Sequence, residues 1–154
     1  MKLKGYNIQT TLKTEEIMAN CNLIITATPS KTPLLSADLV REGTHITAMG
    51  SDTSEKQELD PRILQKADIV VADSISQCLL RGEIHQALKA GVLEKERVVE
   101  LGKVIVNPEL QRTSEKQTTI ADLTGVAVQD IQIAKAVYNA LVDENKNQAL
   151  YEET

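Results

Sequence analysis

Residues 44–52 read THITAMGSD, an apolar stretch that stops at a glycine and is followed at once by a serine and an aspartate. Two other stretches have the same form, NLIITATPS at residues 22–30 and ADIVVADSIS at residues 67–76. Leu23 to Ala27 is an apolar, β-branched run without alternation, which predicts a strand covered on both faces, as in a parallel sheet, and Ile69 to Ala72 is another such strand. THITAMG predicts a short strand between them in the sequence. The small and polar residues after each run would then lie together at the carboxyl edge of the sheet, where ligands bind in open α/β sheets.

Helix signals separate these runs. Asp60 followed by Pro61 is a capping residue and a first-turn proline, a pair that starts a helix. Residues 74–91 read as two helices broken near Gly82, and TTIADL near residue 120 reads as a last strand. Strands that alternate with short helices are typical of βαβ units. The predicted fold class is therefore α/β, with a parallel sheet flanked by helices.

The C-terminal stretch carries a helical pattern of its own. From residue 126 the sequence reads VAVQDIQIAKAVYNALVDE, and its apolar residues recur at the spacing of one helix face. That face contains Ala127, Ile131, Ala134, Tyr138 and Leu141, with Val128 and Val137 on its flanks. We therefore divide the chain into a sheet domain, residues 1–125, and a C-terminal helix with its tail, residues 126–154.

Charge and composition argue against several kinds of partner. The chain has 154 residues, about the size of one ordinary domain, and a net charge of -5. It has no Lys/Arg stripe interleaved with aromatic residues, so nucleic acid is not expected as a partner. The apolar runs fall far short of the roughly 20 residues that cross a bilayer, and Met1 is followed by KLKGYN rather than an apolar signal region. We expect a cytoplasmic protein without a membrane partner.

The cysteines give no sign of a disulfide framework or a metal site. Neither Cys21 nor Cys78 has a nearby Cys or His at a ligand spacing. We therefore predict that both are small buried hydrophobic residues.

Five motifs follow one another along the chain: TATPSKTPL, EGTHITAMGSDTSEKQELDP, ADIVVAD, RGEIHQAL and ADLTGVAVQD. In this order the series resembles the ornithine cyclodeaminase/mu-crystallin family of NAD(P)-dependent enzymes. The resemblance covers nearly the whole chain. It implies a Rossmann domain attached to a substrate and dimerisation domain, NAD or NADP as cofactor, and a small amino or imino acid as substrate.

The resemblance also implies roles for individual residues. Asp52 matches the family's proton donor and acceptor at the substrate, and Thr124 keeps a hydroxyl on the substrate side. The positions that match cofactor contacts are Thr26, Met49, Gly50, Ser51 and Lys56, with Gly50 letting the backbone approach the nicotinamide. A carboxylate beside an apolar strand end and a nicotinamide is partly desolvated, which would raise its pKa toward the range useful for acid–base catalysis. The alternative for Asp52 is an ordinary turn residue, because Gly and Asp suit turns.

The sequence departs from the family pattern in two places. It contains no G-x-G-x-x-G or G-x-G-x-x-A, so we expect a partial Rossmann-like sheet that lacks the first βα phosphate-binding unit. Leu123 stands where the commonest pattern has serine, and DLTG followed by VQD is more similar to the branch of ectoine utilisation and imino-acid reduction. The chain thus resembles the C-terminal part of such an oxidoreductase or deaminase, inactive by itself and weak in cofactor binding.

A non-catalytic folded domain that self-associates is the alternative function, so whether the chain is itself an enzyme stays open at this point. In the resembled family the segment after DLTG packs on the substrate domain. Here its apolar face would be left bare, which favours a homodimer. A compact monomer, in which the helix folds back over the sheet, is the other possibility.

Overall fold

The sheet is built from five parallel strands. The structure, a computed structural model, describes residues 7–152 and, within them, the side chains as far as Val142. The strands are β1 (Leu23–Thr26), β2 (His45–Ala48), β3 (Ile69–Ala72), β4 (Val98–Glu100) and β5 (Thr119–Asp122). Their order across the sheet is β1-β2-β5-β3-β4, and every neighbouring pair is parallel. The carboxyl ends therefore meet at one edge, and the predicted α/β class is confirmed.

Helices connect the strands. Those of the described residues are α1 (Thr14–Asn20), α2 (Pro61–Lys66), α3 (Ile75–Cys78), α4 (Gly82–Lys89), α5 (Leu101–Val106) and α6 (Ala127–Glu152). As predicted, Asp60 caps α2: its side chain accepts a hydrogen bond from the Arg62 N–H, and Pro61 lies in the first turn. The break predicted near Gly82 separates α3 from α4. Neither β4 nor α5 was predicted.

One face of the sheet carries the apolar core. Its buried members come from the strands and from α2 and α4, and include Ile24, Ile46, Val70, Ile120, Ile63, Leu64 and Ile84. Branched aliphatic side chains fill this core because the sequence contains no Phe and no Trp. Burying each of them stabilises the fold by roughly 1.5–3 kcal/mol.

The opposite face of the sheet is covered unevenly. The register places Leu23 and Ile25 of β1 on the same face as Val71 of β3. Val71 is 7% exposed, whereas Leu23 and Ile25 are 61% and 62% exposed. The reason is that α5 packs beside β3 and β4, while β1 is an edge strand at the other side of the sheet. The prediction of cover on both faces is therefore wrong for β1.

The chain divides into two compact units, one ending at Thr124 and the other beginning at Gly125. Gly125 has a φ of +82°, in the left-handed region that favours glycine. The second unit contains α6, the helix predicted from residue 126. Apolar side chains along α6 are between 54% and 67% exposed, namely Val128, Ile131, Ile133, Val137, Tyr138 and Leu141.

The two cysteines are free thiols that differ in burial. Cys78 is buried as predicted, but Cys21 is exposed, because it follows the end of α1 just before the edge strand.

Within residues 7–152 no helix is long and apolar enough to cross a bilayer, and the same residues show no cluster of His, Cys, Asp and Glu suited to a metal ion. Residues 1–6, on which the expected cytoplasmic location depends, lie outside the described part of the chain.

Candidate functional site

The loops that follow β1 and β2 meet at the carboxyl edge of the sheet. The Met49 N–H donates to the Thr26 carbonyl at 2.8 Å, so the pairing of the two strands continues into the loops. Gly50 then approaches Thr28 so closely that a Cβ at Gly50 would overlap the Thr28 carbonyl oxygen. Glycine is needed here because the neighbouring loop fills the space of a side chain. This is a different reason from the approach of a cofactor that the sequence suggested.

A buried carboxylate, Glu58, joins the two loops. Its Oε2 accepts hydrogen bonds from Thr26 Oγ1 at 2.7 Å and from the Gly50 N–H at 2.9 Å. Its Oε1 accepts from the Thr28 N–H at 2.6 Å and from Thr28 Oγ1 at 2.7 Å. The residue is 0% exposed, so its four donors replace the hydrogen bonds that water would otherwise supply to the carboxyl oxygens.

A second buried carboxylate holds the first in place. Glu83, in the first turn of α4, accepts hydrogen bonds from the N–H groups of Glu58 at 2.7 Å and Leu59 at 3.0 Å. Burial raises the pKa of Glu83 to about 7, against the opposing effect of these hydrogen bonds. The backbone beside Glu58 is thereby fixed to α4.

A third carboxylate anchors α4 to the sheet. Asp122, at the end of β5, accepts a hydrogen bond through Oδ2 from the Ile84 N–H at 2.8 Å. Its Oδ1 is buried and has no hydrogen-bond partner among the described residues. Burial raises the pKa of Asp122 to about 8, with repulsion from Glu83 acting in the same direction. Gly82 has a φ of +90°, and a Cβ there would lie 2.6 Å from Asp122 Oδ2, so α4 must begin with glycine.

Beside these buried groups lies a rim formed by Met49, Asp52 and Lys56, of which Met49 and Asp52 are exposed and Lys56 is half-buried. Met49 is 50% exposed, and the Asp52 side chain is 54% exposed. Lys56 Nζ donates to Asp52 Oδ1 at 2.5 Å. This hydrogen bond lowers the pKa of Asp52 below its ordinary value. In the chain itself the carboxylate is solvated and paired with a lysine four residues along the chain, so burial does not raise the pKa of Asp52. The expectation for Asp52 beside a nicotinamide stays a prediction.

The other residues singled out from the sequence lie beneath the rim or apart from it. Thr26 and Ser51 are buried, and their hydroxyls are hydrogen bonded inside the protein: that of Thr26 to Glu58, and that of Ser51 to the Lys56 carbonyl at 2.6 Å. Thr124 is buried at the end of β5, where its hydroxyl donates to Asp73 at 3.2 Å. The structure thus groups all of these residues except Thr124 in one pair of loops.

Glu58 and Glu83 were missed by sequence reasoning. Glu58 stands in KQELDP among polar residues, and Glu83 opens a helix, where glutamate commonly lies in solvent beside the helix N-terminus. Each directly precedes a fully buried apolar residue, Leu59 and Ile84 respectively. A glutamate directly before an apolar residue is therefore the sequence feature that could indicate burial here, although it is also common at exposed positions.

An all-parallel sheet flanked by helices, with its candidate site at the carboxyl edge, is a Rossmann-like α/β fold. The chain belongs to the ornithine cyclodeaminase/mu-crystallin family, whose model matches residues 1–145. The similarity identified from the five motifs is thereby confirmed.

Sequence relatives and solved structures agree with this assignment. The chain is 42% identical over 139 residues to an alanine dehydrogenase of Archaeoglobus fulgidus, covering 90% of this chain and 43% of that protein. It is 40% identical over 138 residues to an uncharacterized cyclodeaminase of Sinorhizobium fredii, covering 89% and 41%. The iminosuccinate reductase of Paracoccus denitrificans in complex with NAD+ superposes with a TM-score of 0.80 at 36% identity, covering 87% and 41%. The chain therefore spans about two fifths of the length of these relatives.

Proposed function

We propose that the chain forms the nicotinamide-facing part of an NAD(P)-dependent oxidoreductase that acts on small amino or imino acids. The observation that carries this proposal is the exposed rim at the carboxyl edge of the sheet, with an ionised carboxylate beside a lysine and an exposed methionine. Relatives named as alanine dehydrogenase, iminosuccinate reductase and pyrroline-2-carboxylate reductase support the substrate class and the imino-acid branch. Solved relatives with bound NAD+ or NADH support the cofactor.

The chemistry of the rim fits one end of a dinucleotide. Met49 offers an exposed, polarizable side chain suited to the face of a flat ring, and Lys56 offers a cation beside Asp52. The Thr26 hydroxyl and the Gly50 N–H already donate to Glu58. We therefore assign them to the floor of the site, the buried groups that also include the carboxylates Glu58, Glu83 and Asp122. No G-x-G-x-x-G occurs in the sequence, so the chain's own residues fit the nicotinamide end and not the pyrophosphate.

Asp52 is the residue that would move the proton. A bound nicotinamide would supply or accept the hydride at the substrate carbon. With its pKa held low by Lys56, Asp52 is a carboxylate at neutral pH, the form that attracts a substrate ammonium group and accepts its proton. To return a proton, Asp52 needs a higher pKa, which the exclusion of water by bound ligands would produce.

A segment exchange tests this proposal. The matching segment of the Archaeoglobus fulgidus alanine dehydrogenase is replaced by the corresponding residues of this chain, and NADH-dependent turnover is measured with pyruvate and ammonia. We expect turnover in the exchanged protein, because the segment would supply the rim and the relative would supply the rest. A folded protein that binds NADH but shows no turnover would contradict the proposed role of the rim.

For the chain alone, we propose weak cofactor binding, because phosphate contacts at a glycine-rich turn anchor dinucleotides. Calorimetric titration with NADH and NADPH should give dissociation constants in the millimolar range, about 4 kcal/mol of binding free energy, or no binding. Micromolar binding to the chain alone would show that its own residues suffice to anchor the cofactor.

We also propose that the chain self-associates through the apolar face of α6, with a second copy as the partner. The exposed apolar side chains of α6 support this, since a bare face of this kind exceeds what monomers commonly tolerate. A relative described as an alanine dehydrogenase dimer is consistent with it. Sedimentation at micromolar concentration is the test, with Ile131→Glu as a disrupting variant and Gln132→Glu, beside it in the chain, as its control. A monomer mass for the unaltered chain would reject the dimer.

A further inference from the structure

The loop between Gly50 and Glu58 is closed by its own last residue. The Gly50 N–H donates to the Glu58 carboxylate, so the two ends of the loop meet although they are 8 residues apart in sequence. Within the loop, the Asp52 N–H donates to the Gly50 carbonyl at 3.1 Å, and Ser51 Oγ donates to the Lys56 carbonyl at 2.6 Å. Asp52 and Lys56 therefore stand on a segment whose geometry depends on where its ends are fixed.

The same carboxylate ties this closed loop to the loop after β1. Glu58 accepts from the Thr26 hydroxyl and from both the N–H and the hydroxyl of Thr28. Glu83 in turn accepts hydrogen bonds from the Glu58 and Leu59 N–H groups. These bonds fix the backbone of Glu58 to the first turn of α4. Neither glutamate reaches the surface, since they are 0% and 1% exposed.

We propose that Glu58, held by Glu83, is a positioning residue that fixes Met49, Asp52 and Lys56 on one rigid rim. The role rests on the proposed function of that rim, because positioning matters only where a ligand reacts. Glu58 acts through Asp52 and does not itself touch a ligand.

The hydrogen bonds explain why a carboxylate is needed for this task. Each oxygen of Glu58 accepts from one backbone N–H, that of Thr28 or that of Gly50. A glutamine at this position would have to direct its NH2 group at one of these N–H donors, where no hydrogen bond can form. Glu58→Gln therefore keeps the size of the side chain and loses the closure of one loop.

NMR on the full chain provides the test. In Glu58→Gln we expect the pKa of Asp52, followed by its carboxyl 13C shift, to rise toward the ordinary aspartate value because its pairing with Lys56 loosens. We also expect amide exchange at Gly50 or Thr28 to become about tenfold faster or more, with Val70 and Ile120 in the sheet unchanged. Glu55→Gln is the matched control: it alters an exposed glutamate of the same loop, whose partner is Lys31 at 2.7 Å.

A milder pair of variants decides the question if Glu58→Gln does not fold. Thr28→Ser keeps the hydroxyl that donates to Glu58, whereas Thr28→Val removes it. We expect the pKa of Asp52 to stay low in the serine variant and to rise in the valine variant. An equal pKa in both, or an unchanged Asp52 pKa in folded Glu58→Gln, overturns the proposal, as does exchange that accelerates uniformly over the sheet. An inactive segment exchange would count against the proposed function and would leave these measurements unaffected.

Discussion

Asp52 and Glu58 are carboxylates of the same loop with opposite surroundings. Asp52 is more than half exposed and pairs with one lysine, whereas Glu58 is fully buried and accepts four hydrogen bonds. The exposed rim carries the groups that can meet a ligand, and the buried floor carries the groups that hold the rim. The comparison indicates that rim substitutions should affect turnover with little effect on stability, and that floor substitutions should affect stability and, through the rim, turnover.

The largest expected effect is on turnover. In the alanine dehydrogenase that carries this segment, Asp52→Asn keeps the side-chain shape but removes the titrating group, so turnover should fall by about two to four orders of magnitude. The affinity for NADH should change little. Asp38→Asn, which alters another exposed aspartate, is the control. Near-normal turnover in Asp52→Asn would mean that Asp52 is a turn residue only.

The floor should give the largest effect on stability. Glu58→Ala leaves two backbone N–H groups and two hydroxyls without their acceptor, so the free energy of unfolding should fall by about 3 kcal/mol or more. Urea denaturation followed by circular dichroism measures this. Glu55→Ala, in the same loop but exposed, should change it by less than about 0.5 kcal/mol. Equal effects of the two variants would remove the distinction between floor and rim.

A pair of glycines sharpens the role of close packing in the floor. A Cβ at Gly50 would lie 2.5 Å from Glu58 Oε1, whereas one at Gly102 in α5 would meet nothing within 4 Å. We expect Gly50→Ala to cost about 1–3 kcal/mol, from overpacking, and Gly102→Ala to stabilise by about 0.5 kcal/mol, from helix propensity. The opposite signs can be read from the urea midpoints. An unchanged free energy of unfolding in Gly50→Ala would mean that the loops can separate at little cost.

Four of the five strands were predictable from the sequence, and the floor of the site was not. The runs at β1 and β3 are apolar and β-branched, and those at β2 and β5 contain β-branched residues, a composition that favours a strand locally. The β4 strand spans three residues, Val98–Glu100, too few for a periodic signal. Whether both faces of β1 are buried depends on which helices pack against this edge strand. That packing is a property of the tertiary structure and not of the local sequence.

The charges of the site show the same limit. The resemblance drew attention to Asp52 and Lys56 separately, yet the pKa of Asp52 depends on their contact. A glutamate in a polar stretch gives no local sign of burial, so Glu58 was passed over. Four donors from two distant segments stabilise its burial, and only the folded chain brings them together.

The buried carboxylates also predict how stability depends on pH. The pKa of Glu83 is raised from 4.5 to about 7 and that of Asp122 from 3.8 to about 8. Over the window from about pH 4 to 8, these two carboxyls therefore bind more protons in the folded chain than in the unfolded chain, whereas the lowered pKa of His45 acts in the opposite direction. The free energy of unfolding should fall as pH rises through this window, by about 1.4 kcal/mol per pH unit for each linked carboxyl, and level off above it.

Amide variants of two floor residues separate this titration from the hydrogen bonds. In Asp122→Asn, the amide oxygen can keep the bond to the Ile84 N–H, and the NH2 group takes the place of the oxygen without a partner. In Glu83→Gln, one of the two backbone donors, Glu58 or Leu59, loses its acceptor. Asp122→Asn should therefore be at least as stable as the unaltered chain at pH 8.

Glu83→Gln, by contrast, should be less stable at pH 5, where the unaltered residue is largely protonated in the folded chain and still stabilises it. In both variants the free energy of unfolding should decline less steeply between pH 5 and pH 7, since each removes one carboxyl that binds a proton in the folded chain. Urea denaturation at pH 5, 6.5 and 8 gives the free energy of unfolding of each variant, its dependence on pH and its difference from the unaltered chain. An unchanged dependence of the free energy of unfolding on pH in Asp122→Asn would mean that Asp122 does not bind its proton in this range, and that Glu83 alone accounts for the decline.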